Sequence, residues 1–123
     1  VLQEAGYRTG AFTSPHLLRF NERIRVDGME VGDSEIVAAF QAIDIAREQI
    51  SLTYFEIATL AALLVFKARA PDVLVLEVGL GGRLDAVNIV DPTVAVITSI
   101  DLDHQAWLGA TRNAIAREKA GIM

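Results

Sequence analysis

The sequence predicts an α/β fold, with a mostly parallel sheet and flanking helices. Three observations carry that expectation. "DVLVLEVG" (72–79) and "TVAVITS" (93–99) are apolar runs rich in Val and Leu, as expected of parallel strands covered on both faces. Two stretches with helical spacing of apolar residues precede them. The order strand, helix, helix, strand, loop, strand, helix is that of a layered sheet. No repeat, low-complexity tract or linker divides the chain, which reads as one domain with pieces missing at both ends.

Taken in order, "VLQEAG" (1–6) reads as the last turn of a helix ending at Gly6, and its uncapped start is expected of a cut. "RTGAFTS" reads as a strand. It leads into "SPHLLRFNERIRVDG", where Pro15 and scattered polar residues predict a loop and Asp27-Gly28 a turn. Asp33 is a good N-cap for an amphipathic helix to about Ile50, with Ile36, Val37, Phe40 and Ile43 on one face. A second helix runs from Tyr54 to Ala70 and is apolar nearly all round, so it should be buried. Thr53 and Glu56 form T-x-x-E, a capping box at its start. "LGGRLDAVNIVDP" is a Gly-rich loop, and residues 111–120 make a short helix that Thr111 caps.

The 123 residues suffice for one domain or part of a larger one. A hydrophobic fraction of 52% against 22% charged residues supports a core rather than a disordered tail. The net charge of -5 argues against a general nucleic-acid binder, which needs a basic face. The lack of cysteine excludes disulfides, thiolate metal sites and a cysteine nucleophile, and it fits a cytoplasmic location. The longest apolar run, Ile57 to Phe66, is too short to span a bilayer. No signal peptide is visible, although the chain starts without Met.

Glu77 ends the run "VLVLE", which should be buried, and an unpaired buried carboxylate is unfavourable. In doubly wound sheets ligands bind beyond the carboxyl ends of the strands, where a carboxylate can hold magnesium on nucleotide phosphates. The competing reading is a structural Glu paired with an Arg or with backbone amides. "GLGG" (79–82) lacks the G-x-G-x-x-G spacing and reads as a tight loop. Asp85 and Asn88 on that loop are either ligand-binding or turn residues bonding their own backbone. His104, with Asp101 and Asp103 nearby, ends the second apolar run and matches Glu77 in topological place. Lys119 suits the dipole in a last helical turn, with Glu118 a solvated companion. Ser14, before Pro15 and His16, is a turn hydroxyl or a magnesium ligand, and Phe55 is core or a pocket wall.

Taken together, "TSPHLLRFNERIRVDG", "SLTYFE", "LEVGLGGRLDAVNIV", "TSIDLDH" and "REKAGI" resemble the folylpolyglutamate synthase/dihydrofolate synthase family, of the Mur ligase superfamily. The resemblance covers essentially the whole chain. It implies that residues 1–123 are part of a central ATP-binding domain. It implies an ATP-dependent ligase that adds L-glutamate to dihydropteroate or folates through an acyl phosphate, acting as a monomer on small molecules. It implies two magnesium ions held by Ser14, Glu77, His104 and a carbamylated Lys119, with ATP as co-substrate. Glu77, His104 and Lys119 are then the catalytic positions. Thr53, Phe55, Asp85 and Ala86 resemble the pterin pocket, and Leu17 to Arg23 resembles the flexible loop near the folate site. Val87 and Gln105 depart from the family, where Thr is common at both places.

The family's phosphate-binding loop, G-x-x-G-K-[ST], is expected just before residue 1, with the rest of the ATPase domain and a C-terminal domain after Met123. The 123 residues alone are therefore expected to be inactive and poorly stable, since an incomplete sheet leaves apolar edges. Three alternatives stay open on the sequence: another Mur-type ligase acting on a peptidoglycan precursor, a non-catalytic nucleotide-binding module, or an inactive remnant.

Overall fold

The computed structural model describes residues 1–123. It divides into two compact units, Val1–Glu77 and Val78–Met123. The first holds a four-stranded sheet of strands β1 (Thr9–Phe12), β2 (Ile24–Val26), β3 (Met29–Glu30) and β4 (Val73–Leu76), in the order β3-β2-β1-β4. The α/β class holds, but the sheet is mixed. β1 pairs parallel with β4, whereas β1–β2 and β2–β3 are antiparallel.

The difference lies in the segment predicted to be loop. Its polar residues serve a short 3-10 turn, Phe20–Arg23, and an antiparallel hairpin. Asp27 and Gly28 form the two-residue turn of that hairpin, with φ of 51° and 78°. Positive φ at both positions is what a right-twisted hairpin demands, and Asp-Gly supplies it with little strain. The Asp27 carboxylate also accepts the Thr9 amide at 2.8 Å, fastening the turn beside β1. At the start of the chain, residues 2–6 make one turn that stops at Gly6, whose φ is 88°.

Two helices, α1 (Asp33–Arg47) and α2 (Tyr54–Arg69), pack on each other, and α2 also contacts β1 and β2. α1 buries Ile36, Ala39 and Ile43. Ile36 and Ile43 lie inward as predicted and Phe40 is half-buried, but Val37 is exposed and Ala39 takes an inner place. The helix stops at Arg47, three residues before the predicted end, and its N-cap is Gly32 rather than Asp33. The Asp33 carboxylate instead accepts from the Asn21 side chain at 2.7 Å. Glu35, near the start of α1, pairs with Arg69, at the end of α2, at 2.8 and 3.0 Å, which runs the helices antiparallel. Small residues Ala58, Ala61 and Ala62 let α2 approach its neighbours closely, with Val65 and Phe66 completing the buried face. The capping box is present in both directions: the Thr53 hydroxyl accepts from the Glu56 amide, and the Glu56 carboxylate accepts from the Thr53 amide at 2.6 Å.

Two strand expectations need correction. β4 is not covered on both faces, since Leu74 is 38% and Val75 50% exposed. β4 stands at the end of the strand order with β1 as its only ladder partner. Residues 93–99 form no strand, and Val94 and Val96 are 77% and 72% exposed. A strand exists only through ladder bonds to a neighbour, and none of the four strands pairs with this segment.

The second unit comprises the Gly-rich loop with a 3-10 turn at Ala86–Ile89, a four-residue helix α3 (Gln105–Leu108) and α4 (Arg112–Ala120). Thr111 caps α4 as predicted, accepting from the Ala114 amide at 3.2 Å. Gly82 lies against the end of α4. A Cβ there would stand 2.8 and 2.9 Å from the carbonyl oxygens of Glu118 and Lys119. No helix in the structure is long and apolar enough to cross a membrane.

Two substitutions test these local contacts. Thr53→Ala removes half of the capping box and is expected to cost about 1 kcal/mol in denaturant unfolding, with Thr53→Ser retaining most of the stability. Gly82→Ala forces a methyl against backbone that cannot yield easily and is expected to cost about 1–3 kcal/mol.

Candidate functional site

Glu77 follows β4 directly. Its amide donates to the Phe12 carbonyl at 2.9 Å, one step beyond the Phe12–Leu76 register pair. Its Oε2 accepts from the Ser14 amide at 2.9 Å. The parallel ladder thus brings Ser14 and Glu77 together at the carboxyl ends of two neighbouring strands, the edge where open α/β sheets bind ligands. The expected burial of Glu77 is corrected: the side chain is exposed, because β4 is an edge strand. Its Oε1 makes no hydrogen bond with protein. The free carboxylate oxygen is a hard donor, and Ser14 carries a hydroxyl of the same kind; hard oxygen donors suit magnesium.

Thr53 and Phe55 flank the start of α2. The Phe55 ring lies 5.7 Å from that of Phe12, at the inner end of β1. Beside them, Phe20 meets Phe40 and Tyr54 edge-on at 5.3 and 6.2 Å. The Arg23 guanidinium lies 5.3 Å from the Tyr54 ring centroid, and its Nε donates to His16 Nδ1 at 2.8 Å. The sequence placed Arg23 only at the end of the loop from Leu17 and gave His16 no role, because a hydrogen bond between them is a product of how that loop folds. Glu22 organises the loop from Leu17. Its carboxylate accepts the amides of Leu17, Leu18 and Arg19 at 2.9, 2.8 and 2.6 Å.

In the second unit, Asp85 accepts from the Gly79 and Leu80 amides through one oxygen and from Val87 through the other, at 3.1, 2.9 and 2.9 Å. Asn88 donates to the carbonyls of Arg83 and Gly121. Both side chains thus hold the loop in place, with Ala86 between them in the 3-10 turn. Glu118, expected to be a solvated companion of Lys119, pairs with Arg83 at 3.1 Å. His104 does not end a strand; it precedes α3 at φ 48° and lies exposed, 3.6 Å from Asp103. Asp101 pairs with Arg112 at 2.7 Å. Lys119 is half-buried in the last turn of α4. The four predicted metal ligands are thus divided, Ser14 and Glu77 in the first unit and His104 and Lys119 in the second. Neither unit gathers three or more His, Asp or Glu side chains able to hold a metal ion.

The fold and the Ser14–Glu77 pair define a class: an α/β chain presenting hard oxygen donors at the carboxyl ends of parallel strands. Comparison with known proteins gives particular relatives. Over 122 residues, 99% of its length, the chain is 59% identical to "Dihydrofolate synthase/folylpolyglutamate synthase" of Escherichia coli (strain K12). It is 41% identical over 130 residues to "Folylpolyglutamate synthase" of Lacticaseibacillus casei. Among solved structures, E. coli FolC in complex with DHPP and ADP superposes with a TM-score of 0.97 at 60% identity, over 98% of this chain and 29% of that one. The Yersinia pestis bifunctional enzyme is similar, with a TM-score of 0.93 at 57% identity over 98% of this chain and 30% of that one. A structure of the same-named bifunctional enzyme holds Mn, AMPPNP and L-glutamate. No protein-family model matches the chain. This chain is a homologue of the dihydrofolate synthase/folylpolyglutamate synthases, and it spans 29% of the length of the E. coli relative.

The three amides on Glu22, that of Leu17 first, then Arg19 and Leu18, lower its pKa from an ordinary 4.5 to about 2. A carboxyl whose folded pKa is depressed stabilises the fold above its unfolded value and loses that contribution as pH falls through the folded one. The stability difference between the parent and Glu22→Ala is therefore expected to be full above about pH 5 and to fade between about pH 4.5 and 2, as read by denaturant titrations across that range.

Proposed function

We propose that residues 1–123 are part of the central ATP-binding domain of an ATP-dependent amide ligase that adds L-glutamate to dihydropteroate, folates or both. The observation that carries this reading is the 59% identity to the E. coli dihydrofolate synthase/folylpolyglutamate synthase over 99% of the chain. The placement of Ser14 and Glu77 at the strand ends supports it. In this reading ATP phosphorylates the substrate carboxylate, because a free carboxylate would have to expel oxide. The amine of L-glutamate then attacks the acyl carbon of the acyl phosphate, phosphate departs and the amide forms.

Ser14, Glu77, His104 and a carbamylated Lys119 would hold two magnesium ions, of which histidine is the atypical ligand. The ions supply charge neutralisation as the phosphoryl group passes between two anions. Carbamylation requires the neutral amine of Lys119, which adds to carbon dioxide and loses a proton to leave an N-carboxylate. That modification turns a cation into an oxygen ligand. By the resemblance, Thr53, Phe55, Asp85 and Ala86 would belong to a pterin pocket of the complete protein. Asp85 shapes its loop through three backbone amides, so its part in the pocket includes holding that loop. The protein acts as a cytoplasmic monomer on small molecules, without nucleic acid.

The test uses the complete protein that carries this chain. Glutamate ligation to dihydropteroate and to tetrahydrofolate is expected, and a muramyl substrate should be inert. Glu77→Ala and Lys119→Ala are each expected to lower kcat by about 10²–10³, the scale for losing one electrostatic contact at a reacting centre. A carbon-13 signal for the carbamate should appear with labelled carbon dioxide and vanish in Lys119→Ala. Ligation unaffected by Glu77→Ala would overturn the assignment.

A further inference from the structure

The last turn of α4 is capped from a distance. A helix leaves its final carbonyls without internal partners, and a glycine at positive φ commonly turns the chain back to meet them. Gly121 follows α4 but does not do this. Its φ is -67°, and its amide reaches only the Glu118 carbonyl, at 3.4 Å. The Ala120 carbonyl accepts from the nearby Met123 amide at 3.1 Å. Other donors come from the Gly-rich loop. The Arg83 amide donates to the Glu118 carbonyl at 2.8 Å, and Asn88 Nδ2 donates to the Gly121 carbonyl at 3.1 Å. The same Nδ2 also donates to the Arg83 carbonyl at 3.1 Å, so one side-chain amide ties loop and helix end together. Two glycines clear this contact, one from each side. A Cβ on Gly82 would meet the Glu118 and Lys119 carbonyl oxygens, and one on Gly121 would meet Cβ and Cα of Arg83. Gly121 thus serves close approach rather than a special backbone angle.

We propose that Asn88 is a positioning residue for Lys119, an inference that rests on the ligase reading above. Lys119 lies between Glu118 and Gly121, the two residues whose carbonyls the loop holds. A side chain leaves a helix in a direction set by the backbone of its own turn. Held on both sides, that turn fixes the Cα–Cβ bond of Lys119 and leaves only the side-chain torsions to be ordered. A helix end without such ties frays, and fraying widens the arc that the amine sweeps. The cost of ordering it then falls on any chemistry that needs the amine in one place. The Arg83–Glu118 ion pair lies beside the tie but does not replace it. Arg83 reaches the Glu118 carbonyl through its backbone amide, which truncation of the side chain leaves intact. The Asn88–Gly121 bond, by contrast, is made by a side chain, is part-buried and bridges 33 positions. Asp85 supports it by accepting three loop amides, that of Val87 immediately before Asn88 among them. Asn88 acts through the helix end rather than on a reacting atom.

The experiment uses the complete protein. It compares the parent with Asn88→Ala, Arg83→Ala, Lys119→Ala, and Asn88→Ala combined with Lys119→Ala. Glutamate ligation to dihydropteroate gives kcat and KM, and the carbon-13 signal under labelled carbon dioxide gives the Lys119 carbamate. Asn88→Ala should lower kcat about 10- to 100-fold, the scale for losing a group that orients another, and should weaken the carbamate signal. KM for dihydropteroate and for ATP should stay within about two-fold of the parent. Arg83→Ala keeps the backbone tie, and its kcat should stay within about three-fold. In the Lys119→Ala background the Asn88 substitution should change kcat no further, because nothing is left to position. Losses that multiply in the double variant overturn the proposal. So does a folded Asn88→Ala with parental kcat and carbamate signal, and so does a loss confined to KM, which marks a residue of the substrate loop. If Asn88→Ala does not fold, Asn88→Asp decides, since it has the same shape without the two N–H donors. Parental kcat and signal there overturn the proposal. A parent without the carbamate signal, together with parental kcat in Lys119→Ala, overturns the assignment of Lys119 itself, and the positioning role with it.

Discussion

The parallel ladder between β1 and β4 is the constraint on which the candidate site depends. It aligns Thr9–Phe12 with Val73–Leu76 and carries the register one residue further, where the Glu77 amide reaches the Phe12 carbonyl. Only then does the Glu77 carboxylate meet the Ser14 amide, 63 positions away in sequence. The long connection is filled by α1 and α2, which close on each other through alanines and the Glu35–Arg69 pair. The pairing of two short strands and the packing of the helices between them thus set one local geometry. A one-residue slip of β4 would turn its side chains to the opposite faces of the sheet and take the carboxylate away from Ser14.

Carboxylates hold the irregular segments by accepting backbone amides. Glu22 takes three from the loop after Ser14, Asp85 takes three around the Gly-rich turn, and Asp27 takes one from β1. Loop amides lack the regular partners that helices and strands provide, so side-chain acceptors satisfy them instead. Residue type alone therefore does not separate a ligand from a fastener. Glu22 and Asp85 have the chemistry of catalytic residues and spend it on the backbone. Glu77 spends one oxygen in this way and keeps the other.

The second unit shows the same economy at the end of α4. Gly82 allows the loop to touch the helix backbone, Arg83 closes on Glu118, and Asn88 bridges the Arg83 and Gly121 carbonyls. Lys119 sits in that tightly held turn. Val87, one of the two positions at which the resemblance departs from the common residue, is buried.

What the sequence determined by itself was the local structure. The Thr53–Glu56 box, the Thr111 cap and the Asp27-Gly28 turn were legible because each is made by residues within a few positions of one another. The α/β class was legible from apolar runs and from five motifs that resemble one family. The tertiary structure decided the rest. Ile24–Val26 and Met29–Glu30 became strands only through each other and β1, and 93–99 did not become one for lack of a ladder partner. Glu77 turned out exposed because its strand lies at an edge, and Glu118 is paired because Arg83, 35 positions away, folds back onto it. The hydrogen bond between Arg23 and His16 is close in sequence, yet the Tyr54 ring against which Arg23 stacks comes from α2. Local propensity records what a residue can bond nearby, whereas exposure, pairing and the fate of a charge depend on which distant segments the fold places against it.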